Sequence, residues 1–305
     1  MKTVRFLLSV CLFGTLLLHA REWSFAVISD SRDDRATYNN ALREIRDMRV
    51  NPDSTFTPAE FIILGGDFDP VKETYKDYKE VFAETGSMKA FFPVKGNHDV
   101  KKRDVSFITD HILPELDSIT VQNEDCVNYY IDWNNVRIIV VDQYSDFGSE
   151  GCINSAGKEW VEKCIQSAGH KDHVFICYHE PAFPRKQHTG DSFNACPDDR
   201  DAFWNMLLKY RSKVKAVFNG HIHYYYRIRV ADPTAKEAQD LSACPDHKDG
   251  IYQINSGACG QGTRNTIVKV QIDGERISVF VLDAEEGKNK PFSVIDKWDI
   301  SEAHE

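Results

Sequence analysis

Val214-Lys215-Ala216-Val217-Phe218-Asn219-Gly220-His221-Ile222-His223 is a largely apolar run that breaks into a glycine and two histidines. Val214 to Phe218 has the length and composition of a buried strand, and the Gly-His-x-His that ends it brings more chemistry than a turn requires. The arrangement recurs upstream. Phe25 to Ser29 ends in Asp30-Ser31-Arg32, Phe61 to Leu64 in Gly65-Gly66-Asp67-Phe68-Asp69, Phe91 to Val94 in Gly96-Asn97-His98-Asp99, and Val174 to Tyr178 in His179-Glu180-Pro181. Val136 to Val141 is another run of this kind. Helical patterns separate the runs over Arg35 to Met48, Val71 to Glu84, Ser155 to Ser167 and Asp199 to Lys213. Such alternation predicts an α/β sheet with helices outside. Ligands of open α/β sheets bind beyond the carboxyl ends of strands, so the polar clusters are expected to meet in one pocket.

The C-terminal third changes character. Tyr224 to Val230, Ile251 to Ile254, Thr266 to Ile272 and Ile277 to Leu282 all read as strands with no strong helix between them, and Asp273-Gly274 marks a hairpin turn. A second, largely antiparallel sheet is expected here. Asp232 to Asp249 reads as a surface loop that a disulfide through Cys244 would pin. Pro184 to Asp198, with Arg185, Lys186, His188 and Cys196, either shapes the mouth of the pocket or is only a solvated basic loop, the reading its composition favours.

Of the 305 residues, 42% are hydrophobic and 28% charged, with 17 glycines and 11 prolines, which excludes disorder, collagen and low-complexity repeats. Lys2 and Arg5 precede an apolar run from Phe6 to Leu18 and a small-residue site at Ala20. That run is shorter than the roughly 20 residues a bilayer span needs. Residues 1–20 are therefore expected to be a signal peptide, with residues 21–305 a single exported domain bearing no transmembrane anchor. The net charge of −10 disfavours nucleic acid polymers as partners; a small anion needs local positive charge to bind. Cysteines at 126, 152, 164, 177, 196, 244 and 259 follow the leader, and no C-x-x-C pair occurs. Export predicts disulfides. Cys177, inside an apolar strand, is expected to stay unpaired while the other six form three bridges.

The ordered blocks resemble the calcineurin-like metallophosphoesterase superfamily, most specifically through Gly96-Asn97-His98-Asp99 and Gly220-His221-Ile222-His223. The resemblance implies two packed mixed β-sheets flanked by helices, with a metal centre at one edge. It implies two divalent ions, zinc, manganese or iron, about 4 Å apart, which clamp a phosphate and lower the pKa of a shared water so that hydroxide attacks phosphorus. By motif position Asp67 bridges the ions, Asp30 and His223 serve the first, and Asn97, His179 and His221 serve the second. His98 stands by the leaving-group oxygen as the catalytic residue, and either Asp69 or Asp99 is the acid that orients it.

Two positions depart from the family pattern. Arg32 stands where a histidine ligand is expected, and arginine cannot ligate a metal. A guanidinium beside Asp30 leaves the first site weak or empty, while its donors offer a grip on a phosphate oxygen. Pro70 stands three residues after Asp67, where purple acid phosphatases carry a tyrosine, so a ferric centre of that type is not expected. The resulting expectation is an exported phosphoesterase for a small mono- or diester; the competing one is a catalytically silent binding protein of the same fold.

Overall fold

The computed structural model describes residues 21–50, 56–83, 90–116, 119–121, 126–260, 262 and 264–300. The leader, residues 1–20, lies outside them. The first half of the chain runs β1 (Trp23–Ile28), α1 (Arg35–Val50), β2 (Ala59–Leu64), α2 (Val71–Ala83), β3 (Ala90–Pro93), α3 (Lys102–Phe107), β4 (Ile119–Val121), β5 (Tyr129–Trp133) and β6 (Val136–Val140). Next come α4 (Ser155–Gln166), β7 (His173–Cys177), α5 (Pro197–Lys209) and β8 (Val214–Asn219). Helix starts follow their caps. Asp34 accepts from the amides of Ala36 and Thr37 at 3.0 and 3.1 Å, Asn154 accepts from Gly157 at 3.0 Å, and Pro197 opens α5, where a missing N–H costs nothing.

The remaining strands are β9 (Tyr225–Val230), β10 (Ile251–Ser256), β11 (Arg264–Asp273), β12 (Arg276–Glu285) and β13 (Ser293–Asp299), with the short α6 (Lys236–Gln239) between β9 and β10. They do not form a sheet of their own, contrary to expectation. β10 inserts parallel to β8 with β9 antiparallel beyond it, and β11 pairs antiparallel with β1. One sheet has six strands in the order β13-β12-β11-β1-β2-β3 and the other seven in the order β4-β5-β6-β7-β8-β10-β9. The physical reason is burial: every residue of β10 is buried, so it must lie between neighbours, whereas local pattern cannot tell which sheet has the open edge. The expected hairpin is present, with Asp273 opposite Arg276 and Gly274 at φ 60°. A second hairpin, β5–β6, turns at Asn134-Asn135, with Asn134 at φ 49°, a conformation asparagine tolerates.

The two sheets pack face to face. Val136, Ile138 and Val140 point into the layer between them, while Ile139 and Val141 point outward with Trp160 of α4 and Trp204 of α5, the two-residue period of a strand buried on both sides. Phe25 meets Phe175 and Phe218 edge-on across the layer, ring centroids 5.6 and 6.2 Å apart. Phe25→Ala would cost about 3–5 kcal/mol, the usual range for emptying such a site. Leu42 and Ile45 of α1 and Tyr75 and Tyr78 of α2 cover the outer face of the six-stranded sheet.

Disulfide usage corrects the expectation of three bridges. Among the described residues Cys152 joins Cys196, while Cys164, Cys177, Cys244 and Cys259 are thiols. Cys177 is unpaired as expected. Cys164 and Cys259 are buried too, placed by packing as small apolar residues with no cysteine opposite them. The 232–249 segment is held without Cys244: the buried Arg185 guanidinium donates to the carbonyls of Ala243 at 2.6 Å and Ala238 at 3.3 Å.

Candidate metal centre

The polar clusters beyond β1, β2, β3, β7 and β8 converge at one edge, stitched by backbone bonds. The Asp30 amide donates to the Gly66 carbonyl and the Gly220 amide to that of His179, both at 3.0 Å. Asp30, Asp67, His221 and His223 all have left-handed backbones, with φ of 51°, 53°, 71° and 38°. Residues other than glycine seldom adopt this conformation, and it persists where surrounding contacts over-determine it. Those contacts are visible. Asp30 accepts from the His221 amide at 3.1 and 3.0 Å and from Ser29 Oγ at 2.6 Å. Asp67 Oδ1 accepts from the His98 amide at 3.0 Å.

Close approach explains the glycines. A Cβ on Gly66 would strike His179 Nδ1, one on Gly96 would strike Asp67 Oδ1, and one on Gly220 would strike Ser29 Oγ and come within 2.7 Å of Asp30 Oδ2. Each block therefore makes room for the polar side chain of another.

Asp30, Asp67 and His179, all buried, place one ligand atom each within 4.8 Å of the others. His179 Nδ1 lies 2.7 Å from the Gly65 carbonyl, which can only accept, so Nδ1 carries a proton and Nε2 faces the centre. Nε2 is 3.2 Å from Asn97 Oδ1, 3.4 Å from Asp67 Oδ1 and 4.0 Å from Asp30 Oδ1. His223 Nε2 is 3.5 Å from Asp30 Oδ1. Burial opposes charge on His179, but Asp67 and then Asp30 outweigh it and raise its pKa. Burial likewise pushes Asp67 up, and His179 reverses this, holding it well below the ordinary carboxylate range. The oxygens demand positive charge.

His221 is the complement. Burial, then His179 and His188, hold its pKa down at about 2, so its ring is neutral, and its buried Nε2 has no hydrogen-bond partner. Its ring centroid is 5.2 Å from that of His179. A neutral, buried imidazole nitrogen without a partner, next to carboxylates that require a cation, fits a divalent metal centre.

Other expected residues fall around this group. His98 has a half-exposed ring with Nε2 3.9 Å from Asp67 Oδ2. Asp99 is buried and faces backbone: it accepts from the amides of Asp67, Phe68 and Gly96 at 2.8, 3.1 and 2.9 Å. Asp69 takes Arg32 Nε at 3.1 Å and Lys101 Nζ at 3.6 Å. Arg32 also pairs with Asp33 at 3.2 Å. The expected juxtaposition of Arg32 with Asp30 is thus corrected: its ion pairs run to Asp69 and Asp33, while both Asp30 oxygens turn toward His221 and Ser29. Asp34 is occupied capping α1.

The 184–198 insertion is largely exposed, as its composition suggests, but is anchored by the buried Arg185, Ser192 and Phe193. The segment brings His188 against His221, ring centroids 4.3 Å apart, and His188 Nδ1 lies 3.0 Å from Asp191 Oδ2. The sequence places this segment at the mouth of the pocket but does not show that His188 meets His221. The one available signal was a histidine nine positions after His179 in a segment that also carries Cys196.

The sequence pattern of calcineurin-like phosphoesterases matches residues 24–225, which reaches from β1 to the start of β9. The chain belongs to the calcineurin-like phosphoesterase family. No curated protein matches it. Among solved structures it is similar to a purple acid phosphatase from yellow lupin (Lupinus luteus) seeds, with TM-score 0.62 and 14% identity over 92% of this chain and 54% of that one. It thus spans about half the length of the lupin protein, whose likeness establishes the fold. Further similar structures are Vps29 of Entamoeba histolytica complexed with zinc (TM-score 0.41, 11% identity, 91% of this chain and 99% of that one) and a 5'-nucleotidase from Candida albicans (0.43, 14%, 81% and 47%). The two packed mixed sheets are those of the metallophosphoesterase sandwich.

Proposed function

We propose that this phosphoesterase-family chain is an exported, metal-dependent hydrolase of small phosphomonoesters or phosphodiesters, with water as nucleophile. The observation that carries the reading is the meeting of Asp30, Asp67 and His179 beside the unpartnered His221 Nε2. Asp30, Asp67 and His223 would hold one ion, and Asp67, Asn97, His179 and His221 a second; carboxylate, amide and imidazole donors suit zinc, manganese or iron. Bound there, the ions supply the positive charge that binds phosphate and acidifies water.

The chain's own residues do the rest. His98 lies on the open side, positioned to give a proton to the departing alcohol. Asp99 is a positioning residue that fixes the 65–68 and 96–99 turns against each other. Arg32, steadied by Asp33 and Asp69, offers its remaining donors to a phosphate oxygen. Export rests on residues 1–20, and a disulfide is compatible with it. No helix among the described residues is long and apolar enough to cross a membrane.

The test is elemental analysis of purified protein beside a screen of mono- and diesters, on the wild type and Asp67→Asn. The variant is expected to lose bound metal and turnover together. Wild-type rates from Asp67→Asn, or from chelator-treated protein, would overturn the reading.

A further inference from the structure

The 184–198 segment is tied to the turn that carries His221 and His223. Gln187 donates its side-chain amide to the Ile222 carbonyl at 3.1 Å, and Tyr224 donates its hydroxyl to the Arg185 carbonyl. Further along, Phe193 packs edge-on against Tyr178, and the disulfide from Cys196 to Cys152 closes the far end. An exposed segment held at both ends keeps what lies between them in place, and between them lie His188 and Asp191.

The contact of His188 with His221 is not a hydrogen bond. Their ring centroids are 4.3 Å apart, yet His221, only 6% exposed, has a buried Nε2 with no partner. Such an orphaned nitrogen costs free energy unless something meets it. His188 is oriented by Asp191, whose Oδ2 lies 3.0 Å from Nδ1; a carboxylate there accepts the Nδ1 proton and leaves Nε2 as a lone pair. A carboxylate behind a histidine is the arrangement that aims an imidazole at a metal and strengthens it as a donor. His188, Asp191 and His221 each bring a possible ligand atom within 4.8 Å of the other two, as Asp30, Asp67 and His179 do, and the His179 and His221 rings are 5.2 Å apart. We propose that His188 is a further ligand of the ion that His221 serves, with Asp191 as its positioning residue. The proposal rests on the metal-centre reading above and adds to it a donor from outside the strand-end blocks. With it the second ion meets the three imidazoles of His179, His188 and His221, whereas the first meets the carboxylates of Asp30 and Asp67 and the single imidazole of His223. Imidazole suits zinc and carboxylate suits manganese, so the segment makes the second site selective for zinc.

Zinc and manganese ions titrated separately into metal-stripped protein test this. Asp191→Ala is expected to weaken zinc binding by about 10- to 100-fold, the usual worth of a carboxylate behind a ligating histidine, and His188→Ala by at least as much. Manganese is expected to lose less, so the preference for zinc narrows; an equal loss of both overturns the selectivity. His188→Cys loaded with cobalt separates ligation from mere support of the segment, because a thiolate on the ion gives a near-ultraviolet charge-transfer band absent from the cobalt-loaded wild type. Zinc bound as tightly by His188→Ala as by the wild type, or cobalt bound by His188→Cys without the band, overturns His188 as a ligand, and loss of metal from Asp67→Asn in the same experiment leaves the centre itself standing. A wild type that binds no zinc removes the metal-centre reading, and this proposal with it.

Discussion

The left-handed backbones of Asp30, Asp67, His221 and His223 cost conformational energy that contacts among the site's own members offset. Each contacts a neighbour within the site, so replacing any of them disturbs geometry as well as removing a polar group. His98 differs: it has ordinary backbone, and its ring is half exposed on the open side. His98→Ala is therefore expected to retain bound metal yet lose rate by about 10²- to 10⁴-fold, the usual worth of a general acid, and least with leaving groups that need no proton. Metal content measured beside kcat checks this, and metal loss in the variant would make His98 a ligand or a structural residue. These residues are legible in the sequence because each follows an apolar run directly, which fixes it at a strand's carboxyl end. His188 is not. Its place against His221 depends on Arg185 turning inward to bind the carbonyls of a distant segment, and a polar loop carries no periodic mark of that. Arg32 is legible as an anomaly but not in its partners, since Asp33 and Asp69 compete with Asp30 only in three dimensions.

Among elements, those with a strong local period match expectation, and pairings across the chain do not. β1, β2, β3, β7 and β8 lie where apolar runs placed them, and α1, α2, α4 and α5 where helical spacing did. β5 escaped because Tyr130 and Asp132 interrupt its apolar pattern, and the split of β9 to β13 between sheets depends on which edges are open. Cysteine pairing has the same character. Cys152 follows the 142–151 loop and Cys196 lies near the end of the insertion, so their bond braces the loop that holds His188, whereas Cys164 is fixed by the packed face of α4. Non-reducing peptide mapping is expected to find Cys152 joined to Cys196. Alkylation of the native protein is expected to label Cys244, which is exposed, and to spare the buried Cys164, Cys177 and Cys259 until the protein unfolds. Rapid native labelling of those three would contradict the packing, and a second bridge among them would contradict the topology.

For the whole molecule, the decisive feature is that the candidate metal centre draws on both sheets. Asp30, Asp67 and Asn97 follow β1, β2 and β3 of the six-stranded sheet, while His179, His221 and His223 follow β7 and β8 of the seven-stranded one. Between the sheets the contacts are chiefly apolar, with hydrogen bonds such as that from the His221 amide to Asp30 and that between His179 Nδ1 and the Gly65 carbonyl joining them at this edge, and a cation held by residues of both sheets would add to these. A cation that binds the folded chain and not the unfolded one stabilises it by RT ln(1 + [M]/Kd), about 2.7 kcal/mol at a hundredfold excess over Kd. In a domain of this size that corresponds to roughly 5 °C in Tm. Chelation is expected to lower the Tm of the wild type by about that amount, and restored zinc or manganese to recover it. The gain should need both sheets: Asp30→Asn, which weakens the ligands of one, and His221→Ala, which removes one from the other, are each expected to lose most of the metal-dependent shift while still melting cooperatively. If either variant kept the full shift, the cation would be held by one sheet alone, and the centre would lie elsewhere than between the Asp30, Asp67 and His179 side chains.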